Sequence, residues 1–94
     1  MTVRVRLPRA LAEHAGGQGD VAVDFGADAT VDDVIAALGA RYPAVGRRIV
    51  DETGALRRHV NVYVGHEECR RLQGLATPVP EGEEVWVIGS IAGG

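Results

Sequence analysis

Four stretches of the chain alternate apolar and polar residues with a period of two, while one long stretch repeats its apolar residues at helical spacing. A strand with one apolar face and a lone amphipathic helix each have a surface to bury, and here they must cover one another. In residues 2–7, Val3, Val5 and Leu7 share one face while Thr2, Arg4 and Arg6 share the other, and Pro8 closes the run. Residues 20–25 alternate again through Val21, Val23 and Phe25. The intervening "RALAEHAGGQG" reads as a short helical turn and a glycine loop, so the two strands form an antiparallel hairpin with a long connection.

The helix spans "ATVDDVIAALGARYP". Thr30 is an N-cap, with Asp33 three residues on in a capping-box position. Asp32 and Asp33 place negative charge in the first turn, where the helix dipole favours it. Val31, Val34, Ile35 and Leu38 form the buried stripe. Gly39 is expected to end the helix in a left-handed conformation, with Pro43 preventing continuation. A helical turn follows around residues 45–50, then a polar "DETG" turn.

"HVNVYVG" is the third strand, with Val60, Val62 and Val64 on one face and Asn61 and Tyr63 on the other. The next stretch shows little regularity beyond a short strand or loop at residues 72–75, and "PEGEE" forms a turn. "EVWVI" is the last strand: Val85 and Val87 face the helix, and Trp86 and Ile88 face away. The first and last strands are the most regular and belong at the centre of the sheet. The expectation is an α+β domain of the β-grasp type. Its mixed sheet has four to five strands, with one main helix packed on one face. Residues 1–88 form that domain and residues 89–94 a flexible C-terminal Gly-Gly tail.

A net charge of −3 argues against nucleic acid and anionic membranes as partners, since both attract basic patches. All ten basic residues are arginine, so no internal lysine can be acylated. His14, His59 and His66 lack metal-ligand spacing, and no metal site is expected. Cys69 is the only cysteine, which rules out an internal disulfide. Arg70 and Arg71 beside it could lower its pKa, although a half-exposed bystander thiol is the better reading. No leader and no spanning apolar run is evident, which makes a cytoplasmic location the default.

Catalytic constellations fail in turn. Ser90 has no GxSxG context and no nearby histidine, and "AGGQG" lacks the lysine of a phosphate loop. Glu67, Glu68, Glu81, Glu83 and Glu84 read as solvated turn charges. As a stand-alone enzyme the chain is poorly equipped. Its end is better suited to chemistry. A carboxylate on glycine has no Cβ beside it and can enter a narrow channel. The six residues beyond Ile88 could extend roughly 20 Å, with Ile91 as an apolar anchor. Trp86 and Ile88 then read as a docking patch, unless Trp86 packs under a loop.

The stretches "LPRALAEHAGGQ", "TVDDVIAALGARYP", "RRHVNVYVGHEECRRLQGLATPVPEGEEVWVI" and "IAGG" together resemble the ubiquitin-like sulfur carrier proteins of the ThiS/MoaD type. The likeness covers essentially the whole chain and is strongest to the actinobacterial branch that serves cysteine biosynthesis. It implies that an E1-like adenylyltransferase/sulfurtransferase of the ThiF, MoeB or MoeZ type adenylates Gly94, using ATP and Mg²⁺. The product would become a thiocarboxylate that donates sulfur. The chain itself would bind no cofactor. The acceptor would be a pyridoxal-phosphate cysteine synthase, or a thiosugar or secondary-metabolite synthase, with a metalloprotease releasing product in the cysteine pathway. Gly89, Ser90, Ile91, Ala92 and Gly93 would thread partner active sites. Trp86, Ile88, Tyr63 and Leu75 would form the docking patch of a free monomer. The resemblance leaves open a small subunit of molybdopterin synthase or a ubiquitin-like protein modifier.

Overall fold

A computed structural model describes residues 1–89. Ser90, Ile91, Ala92, Gly93 and Gly94 lie outside the described residues, so the threading role of that segment does too. The element order is β1 (Thr2–Arg6), α1 (Arg9–Ala12), β2 (Asp20–Asp24), α2 (Val31–Arg41), α3 (Pro43–Ile49), β3 (Val60–Val64), β4 (Glu67–Glu68) and β5 (Val85–Gly89). Two short 3₁₀ turns, Cys69–Arg71 and Gly74–Ala76, precede β5.

The strands form one sheet in the order β2-β1-β5-β3-β4. β1 and β5 are parallel and central, flanked by antiparallel partners on both sides. This is the mixed β-grasp sheet that the alternation anticipates. Val3, Val5, Val62, Val85 and Val87 point to the same side and are almost completely buried against Val31, Val34, Ile35 and Leu38 of α2. Each such side chain contributes roughly 1.5–3 kcal/mol of transfer free energy.

The start of α2 is capped as expected. Thr30 Oγ1 accepts from Asp33 N–H at 3.2 Å, and Asp33 Oδ2 accepts from Thr30 N–H at 2.9 Å. The loop that leads into β5 ties into this point, with Val31 N–H donating to Thr77 O and Val79 N–H to Ala29 O. The β3–β4 connection turns through Gly65, whose φ of +62° only glycine adopts freely.

Several expectations need correction. Gly39 does not end α2, which continues to Arg41. It lies instead where α2 meets α3, its Cα facing Gly46 so closely that a Cβ on Gly46 would come within 2.8 Å of it. The glycine is there for close helix approach. Pro43 does separate the helices: it forces Tyr42 out of helical geometry and then begins α3, which is a full helix rather than a single turn. Of the strand or loop expected at residues 72–75, the structure shows the loop: the short edge strand is β4, and Gly74–Ala76 is a 3₁₀ turn. Gly89, expected in the tail, is the last residue of β5 and pairs with Val60.

Candidate functional site

The face of the sheet opposite α2 carries the residues that alternation directs outward. Register lines them into a row: Asp20 opposite Arg6, Arg6 beside Trp86, Trp86 opposite Tyr63, and Tyr63 opposite Glu68. One step along, Ile88 lies opposite Asn61. Trp86 and Ile88 are 40% and 45% exposed, so the large apolar side chains of β5 are uncovered among the described residues. Among the described residues no loop covers Trp86.

Trp86 is nonetheless held in place. Its indole Nε1–H donates to Glu84 Oε1 at 3.1 Å, and the Arg6 guanidinium lies over the ring, 5.1 Å from its centroid. Arg6 also reaches Glu84 Oε2 at 3.4 Å. Glu84 is therefore a half-buried clamp rather than a solvated turn charge. A cation over an indole face contributes about 0.5–1 kcal/mol at an exposed site. A rigid aromatic in a fixed orientation is the kind of side chain that anchors protein interfaces. Next to it, Arg4 pairs with Asp20 at 2.5 Å, and this partner holds the Asp20 carboxyl below its usual range.

The predicted patch is brought together only in part. Tyr63, Trp86 and Ile88 share the outer face. Leu75 does not: it lies in the second 3₁₀ turn, partly buried against the core. Cys69 is fully buried beneath β3, not half-exposed, and desolvation pushes its thiol pKa up despite the neighbouring Arg70. It is a core residue. Arg70 serves as a brace instead, donating to Val60 O at 2.8 Å, Asn61 Oδ1 at 2.9 Å and Arg57 O at 2.7 Å. No group of three or more His, Cys, Asp or Glu side chains among the described residues could hold a metal ion.

Beyond Trp86, β5 continues alongside a second feature. Pairing with β1 stops at Arg6, and Leu7, Pro8 and α1 turn away, opening a groove beside Val87, Ile88 and Gly89. The last described residue, Gly89, thus lies at the junction of this groove and the Trp86 face.

A small mixed sheet with a parallel central pair, one face covered by a capped helix and the other carrying an ordered aromatic patch beside the last strand, defines a ubiquitin-like β-grasp protein. The chain belongs to the ThiS family, whose profile matches residues 5–94. It is 38% identical to the sulfur carrier protein CysO of Mycobacterium tuberculosis over 96 residues, covering 100% of both chains. Among solved structures, the chain in the BexX/CysO complex of Amycolatopsis orientalis superposes with a TM-score of 0.85. The two share 35% identity over 98% of this chain and 99% of the other. Small archaeal modifier protein 1 of Haloferax volcanii gives a TM-score of 0.82 at 31% identity, covering 96% and 98%. These named relatives are carriers and modifiers rather than enzymes.

Proposed function

We propose that this chain is a sulfur carrier whose Gly94 carboxylate is activated by an E1-like enzyme. The supporting observation is that the family match runs through to Gly94 itself. Attack of the carboxylate on the α-phosphate of ATP, with Mg²⁺, gives an acyl-adenylate and releases pyrophosphate. Hydrosulfide displaces AMP directly, or a persulfide displaces it and a second thiol then frees the thiocarboxylate. The sulfur atom is carried as a nucleophile on a protein and does not diffuse as free sulfide.

In this reading the Tyr63–Trp86–Ile88 face docks on the partner, and the residues after Gly89 enter its active site. The acceptor is a pyridoxal-phosphate cysteine synthase or a synthase of another sulfur-containing metabolite. A metalloprotease would release the product in the first case.

The test is intact mass spectrometry after incubation with a MoeZ-type enzyme, ATP, Mg²⁺ and a sulfur source. Replacement of one oxygen by sulfur at Gly94 supports the proposal. Its absence, with the activating enzyme shown to be active on another carrier, would sink it.

A second reading, a ubiquitin-like protein modifier, is favoured by one observation: 39% identity over 67 residues to small archaeal modifier protein 3 of Haloferax volcanii. Isopeptide adducts through Gly94 on other proteins would reveal it. With no lysine of its own, the chain could not be extended into lysine-linked polymers.

A further inference from the structure

Charge is segregated along β5. Around its start lie Glu83, Glu84, His66 and the Gly82 turn. Around its end, the groove opened by the departure of β1 is floored by Leu7, Leu11, Val60 and Val87 and rimmed by Arg6, Arg9, Arg48 and His59. Glu13 is the one acidic residue lining it among the described residues. Arg4 and Arg6 on the outer face have the carboxylates of Asp20 and Glu84 within 4 Å, whereas Arg9, Arg48 and His59 have no ion pair among the described residues. The Arg48 side chain donates to Ala44 O of its own helix and to no other group among the described residues. All three are exposed.

Arg9 and Arg48 put two positive charges without an ion pair among the described residues on the rim of one groove, and arginine cannot discharge by losing a proton. The pair also stands in a chain whose net charge is −3. Its position gives it a use. Gly89 lines the same groove, so any protein that receives residues 90–94 meets Arg9 and Arg48 beside it. Exposed charges act over about 8 Å at physiological ionic strength, which is the range of direct apposition. A groove of about 930 Å³ with an apolar floor is too wide to grip a free anion. It fits a polypeptide segment that presents an apolar side chain flanked by carboxylates.

We propose that this groove docks an acidic segment, centred on an apolar residue, at the mouth of the partner site that receives residues 90–94. The apolar contact supplies affinity, and the charge pairs supply orientation and association rate. The inference rests on reading Gly94 as the activated residue, and two measurements keep the ideas apart.

The experiment uses the full chain with a purified MoeZ-type activating enzyme. Binding is followed by fluorescence anisotropy without ATP, and adenylation by initial rates, each between about 25 and 300 mM NaCl. The double variant Arg9→Glu/Arg48→Glu is compared with Arg71→Glu, an exposed arginine on the first 3₁₀ turn. The double variant should weaken binding and raise KM about tenfold or more at low salt, with kcat unchanged and the difference closing at high salt. Arg71→Glu should move neither by more than about twofold. An unchanged double variant, or an equal effect of Arg71→Glu, overturns the proposal. Tighter binding by the double variant also overturns it, because the groove would then be occupied by residues 90–94 themselves. Salt-dependent binding lost in the double variant, without any adenylation of the wild type, keeps the groove and removes the function assigned to Gly94.

Discussion

The Arg6 guanidinium lies 5.1 Å from the centre of the Trp86 ring, and the two residues are register partners across the central parallel pair β1–β5. Glu84 closes the arrangement by accepting from the indole N–H and pairing with Arg6. The outer face thus presents a preoriented aromatic, and the ordering cost at an interface is lower for a side chain already fixed.

Trp86→Ala should separate binding from folding. The ring is 40% exposed and its neighbours Arg6, Tyr63 and Glu84 are only partly buried, so the loss of fold stability should stay within about 1 kcal/mol. If Trp86 anchors the partner, KM for activation should rise about thirtyfold, corresponding to about 2 kcal/mol. Initial rates of adenylation together with a thermal melt check both halves. A fall in melting temperature with unchanged KM would assign Trp86 to the fold alone.

The helix pair offers an internal contrast. A Cβ added at Gly46 would come 2.8 Å from the Gly39 Cα, a backbone atom that cannot turn aside, whereas a Cβ at Gly39 would sit 3.4 Å from the Gly46 Cα. Alanine in a helix is favoured over glycine by about 1 kcal/mol, and that gain is available at both positions. At Gly46 the helices must separate, and overpacking of about 1–3 kcal/mol outweighs it. Gly46→Ala should therefore destabilise, while Gly39→Ala should be near neutral or mildly stabilising. Urea midpoints of the two variants measured side by side decide the matter.

How much could be read in advance follows from how far apart the interacting residues lie. The inward Val85 and Val87, the outward Trp86 and Ile88, and the Thr30–Asp33 capping box depend on neighbours within four positions, and local periodicity reveals them. Arg6 and Glu84 belong to the same site but are 78 positions apart, so their contact depends on strand order and register. Gly39 carries a capping signature in isolation, and only the approach of a second glycine on α3 shows its role. Leu75 and Cys69 sit in irregular 3₁₀ turns, where no period tells inside from outside.

Acid should weaken the fold in a defined window. Asp51 accepts from the Thr53 hydroxyl at 2.6 Å, from Thr53 N–H at 2.8 Å and from Ala55 N–H at 3.1 Å, closing the "DETG" turn. These bonds, the Thr53 hydroxyl foremost, hold its carboxyl below the ordinary aspartate value. Arg4 does the same for Asp20, chiefly through its side-chain hydrogen bond. A carboxyl lowered on folding stabilises the native state above its unfolded pKa, near 4, and that stability is lost as pH falls through the lower folded value. Urea midpoints should drop on going from about pH 5 to pH 2.5, and more steeply in the wild type than in Asp20→Asn/Asp51→Asn. Parallel curves for the two proteins would place the acid sensitivity elsewhere.

Cys69 provides the control that any sulfur chemistry here requires. A carrier with a thiol could acquire sulfur in two ways, as a thiocarboxylate at Gly94 or as a persulfide on cysteine, and both enter an intact mass. The geometry separates them. Cys69 has no accessible surface, and burial raises its thiol pKa, so little thiolate is available to attack or be attacked. Alkylation of the native protein by iodoacetamide should therefore be slow and should accelerate with urea as the domain opens. Cys69→Ala should cost about 1 kcal/mol for the small cavity left beneath β3. The variant should still gain sulfur at Gly94 to the same extent as the wild type. Loss of the mass gain in Cys69→Ala, with the fold intact by circular dichroism, would place the carried sulfur on the cysteine and not on the terminal carboxylate.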